Sequence, residues 1–308
     1  MRDEADVVEA QLAYHLDAGV DFVLATDHAS QDGTTEILRS FERQGCLRLF
    51  RAEGEMRESE WRTRMARLAA TEHGADWIIN TDADEFWMPR AGTLKEALAA
   101  VPERAGVVWA LTCHFVPRPD DERPFAERMT ARFASPVALN DPTSPYRPHA
   151  KAAHRPDPEI VVWFGSHRVV SRRLEPLPGW HPADVLHFPF RSREQYERKN
   201  VRRALGDKPL GQYVKGLQAH EQGRLEDVYG TFVIGDEALA AGIADGSLVL
   251  DTRLRATLRG LPSAEEHGLG RFALDDAALR EADVVRLVRR LDVLAARLDD
   301  VEARRWAR

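Results

Sequence analysis

The chain has 308 residues, of which 44% are hydrophobic and 30% charged, and its net charge is −7. That is too apolar for a disordered chain, and the acidic balance supplies no global attraction to nucleic acid or to an anionic bilayer. Two cysteines, Cys46 and Cys113, without C-x-x-C spacing exclude a disulfide scaffold and a structural zinc site and fit a reducing compartment. The charged opening Met1-Arg2-Asp3-Glu4 has no signal-peptide pattern, and no apolar run is long enough for a membrane span. The sequence therefore predicts a cytoplasmic protein, at most peripheral at the inner face of the membrane, with no nucleic-acid partner.

In chain order, Val7, Val8, Leu12 and Leu16 recur at helical spacing and Gly19 stops the helix. Asp21–Thr26 is a short apolar run of the kind that fills a buried parallel strand, and Asp27–Gly33 is a polar turn. Thr34 or Thr35 caps a helix carrying Ile37, Leu38 and Phe41, and Cys46–Phe50 reads as a second strand. A helix through Trp61, Met65 and Leu68 ends at Gly74, and Trp77–Asn80 is a third strand running straight into Asp82-Ala83-Asp84-Glu85. Strands alternating with helices predict an α/β fold with a mainly parallel sheet. Ligands bind beyond the carboxyl ends of such strands, so both polar turns are expected to face one crevice.

Val107–Thr112 is a further strand, and strand-like pieces at 161–164, 167–170 and 185–188 are broken by Pro and Gly. From Arg193 to about residue 260 the pattern is helical and polar. Val284, Leu287, Leu291, Leu294, Leu298 and Val301 then form an a/d seam along 277–303. This divides the chain into a catalytic domain at 1–192, a helical extension at 193–275 and an amphipathic helix at 276–308. That last helix either packs on its own domain or forms a homodimeric coiled coil, and both readings stay open.

Asp82 and Asp84 stand at alternate positions just past a strand. Two close carboxylates are costly unless a cation compensates them, and a hard divalent ion such as Mn²⁺ or Mg²⁺ suits oxygen ligands together with substrate phosphate. Such an ion would neutralise charge on a departing diphosphate. A solvated acidic turn is the plainer reading, but the apolar strand before it and Phe86-Trp87 after it favour a partly buried site. Asp27 is suited to a nucleobase N–H or a ribose hydroxyl, whereas Asp32-Gly33-Thr34 reads better as a turn and helix cap.

The segments RDEADVVEAQLAYHLDAGVDFVLATDHASQDGTTEIL and GADWIINTDADEFW resemble the GT-A glycosyltransferases, in particular the family 2-like bacterial branch. Its members share an Arg-(Asn/Asp)-Glu opening, a D-x-x-S-x-D-G-T turn and a D-x-D-E-F motif. The match spans roughly residues 2–90, and LHFPFRSREQYERK at 186–199 is similar to a later signature. The resemblance implies a GT-A, Rossmann-like nucleotide-diphospho-sugar transferase fold and a metal-dependent, inverting glycosyltransferase of the hexosyltransferase kind. It places the nucleoside at Asp27, the diphosphate and metal at Asp82 and Asp84, and His187 in the metal shell. The acceptor would be a glycan or another hydroxyl compound. Family members begin with a strand ahead of the Arg-Asp-Glu segment; here Met1 stands where that strand ends, and the strand is expected to be missing.

Further candidates follow from residue type. Lys151, beside His149, His154 and Arg155, makes a basic patch fit for diphosphate oxygens, or a solvated loop. Arg64, on the helix before the acidic turn, is placed to reach the donor, and among Arg191, Arg193 and Lys199 one is expected to clamp phosphate. An inverting reaction needs a base, for which Asp184, His167 and Asp120 or Asp121 are candidates. Trp87, Trp163 and Trp180 either stack on sugar faces or close over the core. A nucleotidyl- or phosphotransferase would use the same carboxylates, but no Gly-x-x-x-x-Gly-Lys loop is present. A non-catalytic nucleotide-sugar-binding protein that assembles through the seam helix is the third reading.

Overall fold

The structure is a computed structural model describing residues 1–134, 149–204 and 211–261. The seam at 277–303 lies outside the described residues. Residues Met1–Ser263 form one compact unit. The chain opens with α1 (Val8–Asp17), β1 (Val23–His28), α2 (Thr34–Arg43), β2 (Leu47–Ala52), α3 (Glu58–Thr71) and β3 (Ile78–Ile79). It continues through β4 (Glu85–Pro89), α4 (Leu94–Ala99), β5 (Val107–His114), α5 (Phe125–Arg128), β6 (Ala131–Phe133) and β7 (Ala150–His154). Next come β8 (Val161–Val162), β9 (Val169–Val170), β10 (Ala183–His187), α6 (Arg193–Ala204) and α7 (Gly211–Glu221). The last described elements are α8 (Leu225–Gly230), α9 (Asp236–Asp245), β11 (Leu248–Leu250) and α10 (Arg253–Gly260). None of the described helices is long and apolar enough to cross a membrane.

The fold is mixed α/β, but its strands do not form one mainly parallel sheet. β1 and β2 pair in parallel as a separate two-stranded sheet. The central sheet has the order β3-β7-β5-β10-β4, in which only β5 and β10 pair in parallel. The difference has a local cause. β4 begins at Glu85, inside the segment read as a turn, and returns antiparallel to β10. β7 consists of Ala-Lys-Ala-Ala-His, too weakly apolar to register as a strand, yet it separates β3 from β5. Two antiparallel steps leave β3, β5 and β10 running in one direction, so their carboxyl ends gather at one edge with the starts of β4 and β7.

One face of this sheet carries Trp87, Val108, Ala110, Ala153 and Val185 against Leu94 and Leu98 of α4, whose start is fixed by a Thr93–Glu96 capping box. On the other face Phe86 meets Tyr14, Phe125 and Phe188. β4 lies at the sheet margin, and α1 covers it: the Tyr14 hydroxyl donates to the Trp87 carbonyl at 3.0 Å, and the Trp87 N–H donates to His15 Nε2 at 3.2 Å. The edge groups of Trp87 are thus satisfied by side chains rather than by another strand. At β1, the Met1 amino group donates to the Thr26 carbonyl at 2.7 Å and the His28 N–H donates to the Met1 carbonyl at 2.9 Å. The segment after residue 193 contains β11, which pairs with β6.

Candidate active site

The site forms where β3 ends, where β4 and β7 begin, and where His114 and His187 close β5 and β10. Lys151, second in β7, is buried; its ammonium donates to Asp82 Oδ2 at 2.9 Å and to the Gly165 carbonyl at 2.7 Å, and pairs with Glu85 Oε1 at 2.7 Å. Arg62 of α3 pairs with the other oxygen of Asp82 and also reaches Glu58 (2.9 Å) and Ser166 Oγ (2.7 Å). Asp84, 6% exposed at its side chain, receives the Lys199 ammonium at 2.8 Å, with His187 Nε2 at 3.6 Å and Arg191 Nη1 at 3.7 Å. Arg191, fully buried, also binds Glu4 at 2.5 Å and Asp6 at 2.7 Å, so the opening segment is tied to the site across 185–187 residues of chain.

These surroundings push the carboxyls apart. Burial, the largest influence, would raise Asp82 and Asp84, but Arg62 and Lys151 hold the first, and Lys199, His187 and Arg191 the second, well below the ordinary carboxylate value. Glu85 is raised by burial, with Lys151 opposing. A buried ion cluster of this density is poor value as a stability device, since desolvation consumes most of the attraction. Divergent titration within one crevice makes this turn a candidate functional site.

The donors do not fit a metal as arranged. His187 stands near Asp84, but Asp82 is turned to Arg62 and Lys151, and both carboxylates already face cations. Among the described residues no group of three or more His, Cys, Asp or Glu side chains is placed to hold a metal ion. The expected set of Asp82, Asp84 and His187 is gathered in one place but compensated by protein cations.

His187 Nδ1 lies 2.9 Å from His114 Nδ1, so one ring donates to the other. His167 follows a turn with two left-handed residues, Gly165 (φ 65°) and Ser166 (φ 58°), and a Cβ at Gly165 would collide with the His167 ring at 2.6 Å. His167 Nδ1 contacts the Ala150 carbonyl at 3.1 Å, which fixes Nδ1 as the protonated nitrogen and leaves Nε2 basic. Desolvation and the nearby Lys151 ammonium lower its pKa.

Other expectations land elsewhere. Asp184 is on β10 but in a separate network with Arg90 (2.9 Å) and Arg253 (3.0 Å); burial would raise it, yet these arginines hold it low, which makes it a weak base. Arg64 stacks on Phe50 at 5.1 Å; the arginine that reaches the acidic turn is Arg62, about 200° away around α3. Asp27 is wholly buried and closes its own turn, accepting from Ser30 N and Oγ, from Thr35 Oγ1 at 2.5 Å and from Arg51 at 2.9 Å. Asp32 accepts from Thr34 and from the Ala5 N–H. Arg193 is exposed and faces Glu226, Trp87 is core, Asp120 and Asp121 pair with Arg128, and Arg155 covers Trp77. Arg62, Glu85 and His114 were not singled out from sequence; the helical phase of α3 relative to the turn was the only cue for the first.

No protein-family model and no curated protein matches the chain. Among solved structures it is similar to S. aureus TarS at 14% identity and a TM-score of 0.33, covering 73% of this chain and 42% of that one. TarS 1-349 gives 15% and 0.29 over 68% and 66% of the two chains, and its complex with UDP gives 13% and 0.32 over 90% and 92%. The chain thus spans less than half of the first of these proteins. At such TM-scores the likeness carries no argument about the site, which rests on the geometry above.

Proposed function

We propose that the chain is a glycosyltransferase that takes a sugar from a nucleotide-diphosphate donor to an acceptor hydroxyl, with the diphosphate seated at the Asp82–Glu85 turn. The observation that supports this best is the buried acidic turn matched by Arg62, Lys151, Arg191 and Lys199. Cations poised beside carboxylates can turn to phosphate oxygens, and the field they make favours a leaving diphosphate. The nucleoside would lie toward the Asp27 turn, which α3 joins to the acidic turn through the Thr26–Met65 and Arg62–Asp82 contacts. Asp27 then acts by ordering Ser30 and Arg51 rather than by free acceptor capacity.

In the reaction, the acceptor oxygen bonds to the anomeric carbon as the carbon–oxygen bond to the diphosphate breaks. Lys199, Lys151 and Arg62 neutralise the departing charge, and the hydroxyl proton passes to His167 Nε2. Displacement in one step inverts the anomeric centre. Metal dependence is read from the same experiment: calorimetric titration of UDP and then GDP, with and without Mn²⁺, on the native chain and on Asp84→Ala. Binding of one nucleotide that is lost in Asp84→Ala supports the reading, and enhancement by Mn²⁺ adds the metal. A folded protein that binds neither nucleotide in either condition refutes it.

A further inference from the structure

The turn that holds Lys151 and Arg62 on Asp82 also carries the most exposed aromatic pair among the described residues. Trp163 is 53% and Phe164 55% exposed, immediately before Gly165 and Ser166, whose carbonyl and hydroxyl bind those two cations. Val161, on the same face of the ribbon as Trp163, and its cross-strand partner Val170 are also exposed. Arg168 lies over the Trp163 ring, with its guanidinium carbon 5.5 Å from the centroid. The ribbon is not loose: Ser59 Oγ donates to the Val162 carbonyl at 2.6 Å and the Val162 N–H donates to Thr63 Oγ1 at 3.0 Å, which rivets it to α3.

We infer that Trp163 and Phe164 are the acceptor subsite, a platform on which a pyranose ring of a glycan stacks with its hydroxyl directed at the neighbouring charged crevice. The inference rests on the donor reading above. Flat, rigid rings offer apolar area to the C–H face of a sugar at small entropic cost. Four side chains are far too few for a stable contact with a second copy, which needs about 800 Å² per partner. A net charge of −7 supplies no general attraction to an anionic bilayer, and Glu159, which leads into the ribbon, is paired with Arg173.

The test uses the full chain labelled with ¹⁵N-tryptophan, its Trp163 indole signal assigned by Trp163→Phe, and titrates cellotriose, chitotriose and maltotriose. At least one is expected to shift the Trp163 signal. Trp163→Ala with Phe164→Ala should weaken that binding about tenfold while UDP titration is unchanged, and Trp163→Phe should restore part of it. If UDP binds but no oligosaccharide moves Trp163, the subsite is overturned and the donor reading stands. If neither UDP nor GDP binds, the donor reading falls separately. A Trp163 response to phosphatidylglycerol vesicles instead of sugars, or a change in oligomeric mass in the double variant, overturns the glycan assignment.

Discussion

Two acidic turns follow two strands, and they are built on opposite plans. After β1, Asp27 spends its carboxylate on Ser30, Thr35 and Arg51, partners no more than 24 residues away. After β3, Asp82 and Asp84 are met by Arg62, Lys151, Arg191 and Lys199, drawn from α3, β7, the β10–α6 connection and α6. The carboxylate of the first turn is satisfied from within β1, α2 and β2; the second is a meeting point whose cations come from as far as 115 residues away. The same cue in sequence, an aspartate past an apolar strand, thus stands for a brace in one case and a charged receptacle in the other.

The sharpest way to break this contrast is Lys151→Met. It leaves Glu85 and Asp82 without their shared ammonium, and loss of one partner from a buried pair costs about 3–5 kcal/mol, to be read as a lower urea midpoint. A stability loss under about 1 kcal/mol would show that the acidic turn is wetter than its burial implies.

The strands before both turns are legible in the sequence, but neither plan is, since Asp27 reads there as a ligand for the nucleoside rather than as a brace. β1, β2, β3, β5 and β10 announce themselves as apolar runs, and Asp32-Gly33-Thr34 as a turn, because those signals are local; the expected Thr34 or Thr35 cap is absent, Gly33 standing at the N-cap without a side-chain cap bond. The sheet order was not legible, since it is decided by β4, which starts within the acidic motif, and by β7, an alanine strand with one lysine. Lys151, Arg191 and Lys199 could be proposed as phosphate clamps by residue type, but their choice of carboxylate depends on strand order. Arg62 is a second arginine on the same predicted helix as Arg64, and which of the two reaches the turn depends on how α3 packs.

The next prediction concerns how β4, and with it the acidic turn, is held in place. His15 accepts from the Trp87 N–H only when neutral, and burial lowers its pKa from 6.5 to about 4, with the Gln11 carbonyl opposing. The unfolded chain therefore binds this proton at higher pH than the folded one. The contribution is full above about pH 6.5 and is lost as pH falls toward 4, reaching about 3 kcal/mol. Urea unfolding between pH 7.5 and 4.5 should show this slope, and His15→Gln, which keeps an acceptor for Trp87, should flatten it relative to the native chain.

The smallest effect is expected at the closed turn. Asp27→Asn turns a donor toward Thr35 and Arg51 and should cost about 2 kcal/mol, while UDP affinity per folded molecule changes less than threefold. A tenfold loss of UDP affinity in a folded Asp27→Asn protein would erase the distinction between the turns and return Asp27 to direct contact with the nucleoside.

The long reach of Arg191 and Lys199 has a consequence for how the protein is made. A ribosome delivers Asp82 and Asp84 more than a hundred residues before the cations that answer Asp84, so the nascent amino-terminal half carries an unanswered carboxylate that opposes early compaction there. The strands of the β1–β2 pair are complete by residue 52, whereas the cations of Asp84 are complete only after α6 has emerged. The charged receptacle would therefore be completed late in synthesis, and a chain stopped before residue 191 would keep its brace and leave Asp84 without Arg191 and Lys199.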